Sequence, residues 1–173
     1  ITMKGGEKAN IILVGESGAG KSEAIEAFRI LSGDNLRELK VVFDAMGSLE
    51  LGKDGKIKAY GTETGAFVRI DDLESGYVYG QLDRLIMMIP HERVNARVLV
   101  PITTLKEIQH GWPVDYFLYA NNYEKPENGV YLEQFRTPEE AMKIFREGKR
   151  LAKGTTHEVG LTASYYANIF GPT

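Results

Sequence analysis

Apolar positions in the first third of the chain fall into short runs separated by polar turns. The run at 11–14 predicts a strand, and the stretch over about 21–31 has helical character. A second apolar run at 39–43 predicts another strand, which ends at Asp44. Residues 52–55, Gly-Lys-Asp-Gly, lie between alternating residues and predict the turn of a hairpin. This part of the chain is therefore predicted to run strand, helix, strand and hairpin.

The rest of the chain has more predicted strands than helices. Strands are predicted at 66–70, 77–79, 98–100 and 115–119, the last of them buried. The third strand precedes Pro101, so it either lies at the edge of its sheet or ends there. Thr137 as N-cap and Pro138 in the first helical position predict the start of another helix. We expect an α/β fold with a mixed sheet, in a single domain over residues 1–173.

The composition is that of an ordinary globular protein. The chain has 173 residues, of which 43% are hydrophobic and 26% charged, and its net charge is −3. A net charge of this sign predicts no nucleic-acid partner, and no apolar run is long enough to predict a membrane span. Cysteine is absent, which fits the cytoplasm. The chain begins at Ile1 rather than Met, so we expect a fragment of a longer protein.

The most specific motif follows the first predicted strand. It reads Gly15-Glu16-Ser17-Gly18-Ala19-Gly20-Lys21-Ser22 and matches the phosphate-binding pattern G-x-x-x-x-G-K-[ST]. Its glycines let the backbone curl until N–H groups point at phosphate oxygens, and the positive end of the following helix adds to this attraction. Lys21 can then reach the β- and γ-phosphates, and the Ser22 hydroxyl can ligate Mg²⁺. The motif therefore predicts that the whole loop binds a nucleoside triphosphate such as ATP.

Polar residues elsewhere in the chain could complete such a site. Asp44 ends a predicted strand, where phosphate-loop enzymes place a carboxylate for Mg²⁺, although it could instead start a turn before Gly47. Glu63 lies among small residues that let a ligand approach closely, but a solvated hairpin carboxylate fits the same pattern. Arg69 and Arg97 each lie in an apolar stretch, where a phosphate would offset the burial of charge. A strand arginine that faces solvent is the alternative for each.

The order of these segments resembles the nucleotide-binding domain of ATP-dependent phosphoenolpyruvate carboxykinase. The similar segments are 6–8, 15–22, 63–69, 95–102, 137–142, 154–155, 162–164 and 170–171. They are distributed over nearly the whole length of the chain. The resemblance implies a domain with a phosphate loop and a mixed sheet. It also implies the reaction of that family, in which oxaloacetate and ATP give phosphoenolpyruvate, ADP and CO₂.

The same resemblance implies roles for individual residues. The nucleotide and its phosphates would be contacted by Lys21, Ser22, Glu63 and Arg69, and Thr162 and Ser164 would lie near the adenine or ribose. Ser22 and Asp44 would bind Mg²⁺, and Arg97 would bridge the transferred phosphoryl group to the substrate. A second metal, usually Mn²⁺ in that family, would hold the substrate.

The chain also departs from that family. The family has two adjacent Asp residues at its metal site, whereas here Asp44 stands between Phe43 and Ala45. The residues that would bind the second metal and the substrate would precede residue 1. The loop also resembles that of HPr kinase/phosphorylase, a bacterial protein serine kinase with one catalytic Asp a strand after its loop. A kinase of that type and a nucleotide-binding domain without catalysis are therefore the alternatives.

Overall fold

The computed structural model describes residues 1–15, 19–44, 46–69, 86–88, 97–126, 129, 131–152 and 160–163. Within these residues the chain is a mixed α/β protein with several small sheets and few helices. The helices are α1 (Lys21–Leu31), α2 (Leu105–Gln109) and α3 (Pro138–Glu147), and a 3₁₀ turn covers Gly33–Asn35. The strands are β1 (Thr2–Met3), β2 (Ile11–Val14), β3 (Leu36–Glu38), β4 (Gly47–Leu51), β5 (Ile57–Gly61), β6 (Gly65–Arg69), β7 (Ile86–Met88), β8 (Arg97–Pro101), β9 (Trp112–Pro113), β10 (Tyr116–Tyr119), β11 (Lys149–Ala152) and β12 (Gly160–Ala163).

The chain divides into two compact units. The first contains Ile1–Ile12 and Ser22–Phe117, and the second contains Leu13–Lys21 and Leu118–Thr173. Strands β2 and β10 pair with each other, and each has residues in both units. The N–H groups of Tyr116 and Ala120 donate to the carbonyl oxygens of Asn10 and Val14 at 3.2 and 2.7 Å. Because the partners advance in the same direction along both strands, this pair is parallel.

The first unit contains three antiparallel sheets in its described residues. Strand β1 pairs with β3, β5 lies between β4 and β9, and β8 lies between β6 and β7. The buried apolar side chains of this unit are Ala59, Ala66, Val100 and Ile108. They come from β5, β6, β8 and α2, so these four elements supply the core. The hydroxyl of Thr104 accepts the N–H of Glu107 at 3.3 Å and thereby caps α2.

The second unit combines α3 with an antiparallel pair, β11 and β12. The side chain of Asn122 fastens β11 to the segment after β10. Its amide donates to the carbonyl of Leu151 at 3.0 Å and its oxygen accepts the N–H of Leu151 at 2.9 Å. The Tyr119 hydroxyl donates to the carbonyl of Lys149 at 3.2 Å. Side chains, and not another strand, thus form hydrogen bonds with these backbone groups of β11.

Several predicted elements are confirmed. The strand at 11–14 is β2, and the helix at 21–31 is α1 with the same bounds. The turn at 52–55 joins β4 and β5 into an antiparallel hairpin. The predicted helix start is that of α3, in which Thr137 is the N-cap and Pro138 the first residue. Each of these elements could be predicted from a local signal, which was a capping residue, a turn sequence or the spacing of apolar residues.

Other predictions are wrong. The strand predicted at 39–43 is absent, and the segment follows an irregular path. The side chain of Lys40 packs on Trp112, and that of Phe43 packs on Gly47 and Gly61. The adjacent residues Leu36–Glu38 form β3 instead, since they pair with β1. Strand β10 forms as predicted at 115–119 but is not buried: Tyr116 is 59% and Phe117 45% exposed. A sheet of two strands leaves much of each strand exposed to solvent, so the apolar run did not predict burial.

The sheets also differ from the prediction. The described strands are divided among five small sheets, not gathered into one mixed sheet. The strand before Pro101 was predicted either to lie at the edge of its sheet or to end at the proline. It is β8, which ends at Pro101 and is the central strand of its sheet. The proline is tolerated because it is the last residue of the strand. The strand predicted at 77–79 lies outside the described residues. Among the helices in the described part of the chain, none is long and apolar enough to cross a membrane.

Candidate functional site

The two described ends of the segment between β2 and α1 lie close together. A methyl group added to Gly15 would lie 3.2 Å from Cβ of Ala19. The same methyl group would lie 3.1 Å from Cβ of Ala120, so a side chain at Gly15 would press against its neighbours. Gly20 has φ = 89°, in the left-handed region that favours glycine. The curl of the phosphate-binding loop over residues 15–20 stays a prediction of the motif.

Helix α1 begins at Lys21, directly after Gly20. A helix whose first residues follow a glycine-rich turn leaves its first N–H groups without partners inside the helix. Those groups and the positive end of the helix favour an anion. Lys21 is half-buried and supplies a positive charge at the same place. The predicted loop residues Glu16, Ser17 and Gly18 lie outside the described residues.

Within the first unit, the structure brings together the two predicted metal ligands. The hydroxyl of Ser22 donates to Oδ1 of Asp44 at 2.9 Å, and both residues are half-buried. Asp44 reaches this position from an irregular segment, although the sequence placed it at the end of a strand. A hydroxyl oxygen and a carboxylate are ligand types that Mg²⁺ accepts, and this ion keeps several waters besides its protein ligands. The pair can therefore supply part of a Mg²⁺ coordination shell.

Glu63 lies between β5 and β6, and its Oε1 atom is buried without a hydrogen-bond partner among the described residues. The same holds for Oγ1 of Thr103, just after β8. Both residues flank the point where the carbonyl of Thr64 accepts the N–H groups of Ile102 and Thr103 at 3.0 and 3.2 Å. A buried carboxylate oxygen without a partner is unfavourable by about 1–3 kcal/mol, and a donor would remove that penalty. The predicted ligand role of Glu63 stays a prediction.

The two predicted phosphate-binding arginines are paired. Arg69 is the last residue of β6 and Arg97 the first of β8, and they are direct partners in the antiparallel ladder. Thr162, predicted to lie near the adenine or ribose, is paired with Arg150 in β11 and β12. Ser164 lies outside the described residues.

One polar cluster was not predicted from the sequence. The ammonium group of Lys40 lies 2.8 Å from Oε2 of Glu107 and 4.6 Å from the centre of the Trp112 ring. The Trp112 indole donates to the carbonyl of Glu107 at 2.9 Å, and the His110 ring lies 4.9 Å from it. A cavity of about 340 Å³ borders Lys40, Thr103 and Glu107. The members of this cluster contact one another, which makes Trp112 a packing residue. Nothing in the sequence relates the distant Lys40 to Glu107, His110 and Trp112.

Comparison of the chain with protein-family models, with curated proteins and with solved structures found no match.

Proposed function

We propose that this chain binds a nucleoside triphosphate with Mg²⁺ through residues 15–22 and serves phosphoryl transfer. The observation that carries the proposal is the contact between Ser22 and Asp44 at 2.9 Å. The motif alone requires only a hydroxyl at the end of the loop. A carboxylate that arrives from a separate segment and meets that hydroxyl is the arrangement that phosphate-loop proteins use to hold Mg²⁺ on a nucleotide.

The chemistry follows from the charges at the loop. The triphosphate is a polyanion, and Lys21 with the N–H groups of the curl neutralises part of its charge. Ser22 and Asp44 would hold Mg²⁺, whose positive charge would stabilise the negative charge that develops on phosphoryl transfer. Positioning and charge neutralisation supply most of the rate in this class of reaction. In this proposal Asp44 serves as a ligand of Mg²⁺ and does not attack the phosphate itself.

Metal-dependent nucleotide binding tests this proposal. Titration calorimetry with ADP should give a higher affinity in Mg²⁺ than in EDTA. Ser22→Ala and Asp44→Asn should each lower the Mg²⁺-dependent part of the affinity about tenfold or more, because each removes a metal contact. Asp54→Asn, in the exposed turn of the β4–β5 hairpin, is the matched control and should bind like the wild type. If the wild type binds no nucleotide, or if Asp44→Asn binds with unchanged Mg²⁺ dependence, the proposal is wrong.

The more specific proposal is the carboxykinase reaction, with ATP, Mg²⁺ and Mn²⁺ and with oxaloacetate as substrate. It is supported by the segment order described above and by the pairing of Arg97 with Arg69. The test is ATP-dependent conversion of oxaloacetate with Mn²⁺ present, using the full-length protein to which the chain belongs. Transfer of labelled γ-phosphate to a protein acceptor would favour the kinase alternative. Nucleotide binding without either activity would favour a non-catalytic domain.

A further inference from the structure

Asp44 has no strand to hold it, which raises the question of what fixes its position. Its neighbour Phe43 lies against two glycines, Gly47 and Gly61, that are direct partners at one end of the β4–β5 hairpin. A methyl group on Gly47 would lie 2.5 and 2.6 Å from Cε2 and Cζ of Phe43. A methyl group on Gly61 would lie 2.7 Å from Cβ of Phe43. We call this pair of glycines the glycine platform.

The platform accepts Phe43 only because it has no side chains. Carbon atoms in contact lie about 3.5–4.0 Å apart, so a Cβ at either position would overlap the phenyl group. A methyl group at Gly61 would also be confined on its other side. A methyl group there would meet Cγ2 of Ile108 at 2.7 Å as well, and Ile108 is only 4% exposed. Packed interiors do not yield easily, so Phe43 would have to move.

Hydrogen bonds hold the segment again just after Asp44. The carbonyl of Met46 accepts both the N–H and the hydroxyl of Thr62, at 3.2 and 3.0 Å. Thr62 directly follows Gly61, so both anchors belong to the same end of the hairpin. Asp44 therefore lies between an aromatic anchor on one side and a hydrogen-bonded anchor on the other. Its carboxylate meets Ser22 from a backbone that is held by packing and not by a sheet ladder.

We propose that the glycine platform and Phe43 are positioning residues for the metal-binding carboxylate of Asp44. This inference rests on the proposed function, because it assigns the platform a role in Mg²⁺ binding. A side chain on the platform displaces Phe43 and with it Asp44, so the carboxylate no longer meets the metal held at Ser22. The nucleotide contacts of the loop itself do not depend on the platform. Loss of the platform should therefore weaken metal-bound nucleotide and spare metal-free nucleotide.

Two variants and one control test this role. Gly61→Ala adds a methyl group against Phe43, and Phe43→Leu removes the phenyl group while it keeps an apolar side chain. Each should lower ADP affinity in Mg²⁺ about tenfold and leave ADP affinity in EDTA unchanged, as expected when a group that orients a metal ligand is altered. Gly52→Ala, at the other end of the same hairpin, meets chiefly the exposed side chain of Asp54 and should behave like the wild type. Thermal unfolding of each variant identifies those that fold.

The outcomes separate the two proposals. If the wild type gains affinity from Mg²⁺ and the folded Gly61→Ala and Phe43→Leu variants gain as much, the platform has no positioning role and the proposed function stands. An equal loss of affinity in Mg²⁺ and in EDTA also overturns the positioning role, because it shows a general disturbance of the fold. If the wild type gains no affinity from Mg²⁺, the proposed function is wrong and the inference falls with it.

Discussion

The starts of α1 and α3 show two different ways to begin a helix. The start of α3 is stabilised locally: the hydroxyl of Thr137 accepts the N–H of Glu140 at 3.3 Å, and the carboxylate of Glu140 accepts the N–H of Arg136 at 2.9 Å. Proline fills the first helical position. The start of α1 has a cation, Lys21, where the helix dipole disfavours positive charge. Its hydroxyl residue, Ser22, donates to Asp44.

The hydrogen bonds at the N-termini of α1 and α3 therefore differ in kind. The residues at the start of α3 satisfy their own backbone, so this helix is specified by its caps. Under the proposed function, the residues at the start of α1 would bind a negative partner. Further along this helix, Arg29 donates to Glu26 at 3.1 and 2.5 Å. Glu26 is only 5% exposed, and its hydrogen bond with Arg29 raises the pKa of Arg29.

The largest expected effect comes from Lys21→Met, which removes the charge and keeps the stem of the side chain. ADP affinity should fall about a hundredfold, or about 3 kcal/mol, because a charge-assisted contact to phosphate is lost. Titration calorimetry measures the affinity. Lys53→Met in the hairpin turn is the control. Unchanged ADP affinity in the Lys21 variant would contradict the assignment of the loop.

The converse effect is expected at the start of α3. Thr137→Ala should lower the free energy of unfolding by about 1 kcal/mol, because the N–H of Glu140 loses its cap. ADP affinity should stay at the wild-type value. Thr137→Ser keeps the hydroxyl and should keep most of the stability. If Thr137→Ala instead weakens ADP binding, the contrast between the two helix starts does not hold.

The smallest effect concerns the other end of α3. Burial raises the pKa of Tyr123 from 10.0 to about 12, and the nearby Tyr119, Glu124 and Glu147 add to the shift. Because the folded protein holds this proton more tightly, stability is unaffected below pH 10 and falls as the pH rises from 10 to about 12. Tyr123→Phe should reduce that fall by up to about 1 kcal/mol, a figure discounted for partial exposure. Tyr131→Phe, which alters a residue that is 85% exposed, should not. Identical alkaline unfolding in the wild type and in Tyr123→Phe would contradict the role of Tyr123.

The elements that could be predicted from the sequence are those with complete local signals. The hairpin of β4 and β5 has its glycine turn, and α3 has Thr137, Pro138 and, at its end, Gly148 with φ = 52°. The residues after β3 show the opposite. The apolar run at 39–43 has the composition of a strand, but no described strand pairs with it, and its side chains pack separately on Trp112 and on the glycine platform. A run of apolar residues does not indicate whether a neighbouring strand is present.

The candidate site divides in the same way. The phosphate-binding role of residues 15–22 stays a prediction, which depends on the fixed spacing of the motif. Ser22 and Asp44 were each predicted as metal ligands, but for Asp44 the expected reason, the end of a strand, was wrong. Glu63 and Thr103 could not be identified as neighbours without partners, because this depends on how β6 and β8 pair. The glycine platform could not be predicted either, since nothing in the sequence relates Phe43 to Gly61.

The sequence by itself determined the local features of this protein: the phosphate-loop motif, the start and end of α3, and the turn of the β4–β5 hairpin. These depend on backbone preferences and on hydrogen bonds within a few residues, which a short stretch of chain contains in full. Only the tertiary structure decided that Asp44 meets Ser22, that Phe43 rests on Gly47 and Gly61, and that Arg69 faces Arg97 in the ladder. Those contacts join distant parts of the chain, and they depend on shape and register, which residue types alone do not encode.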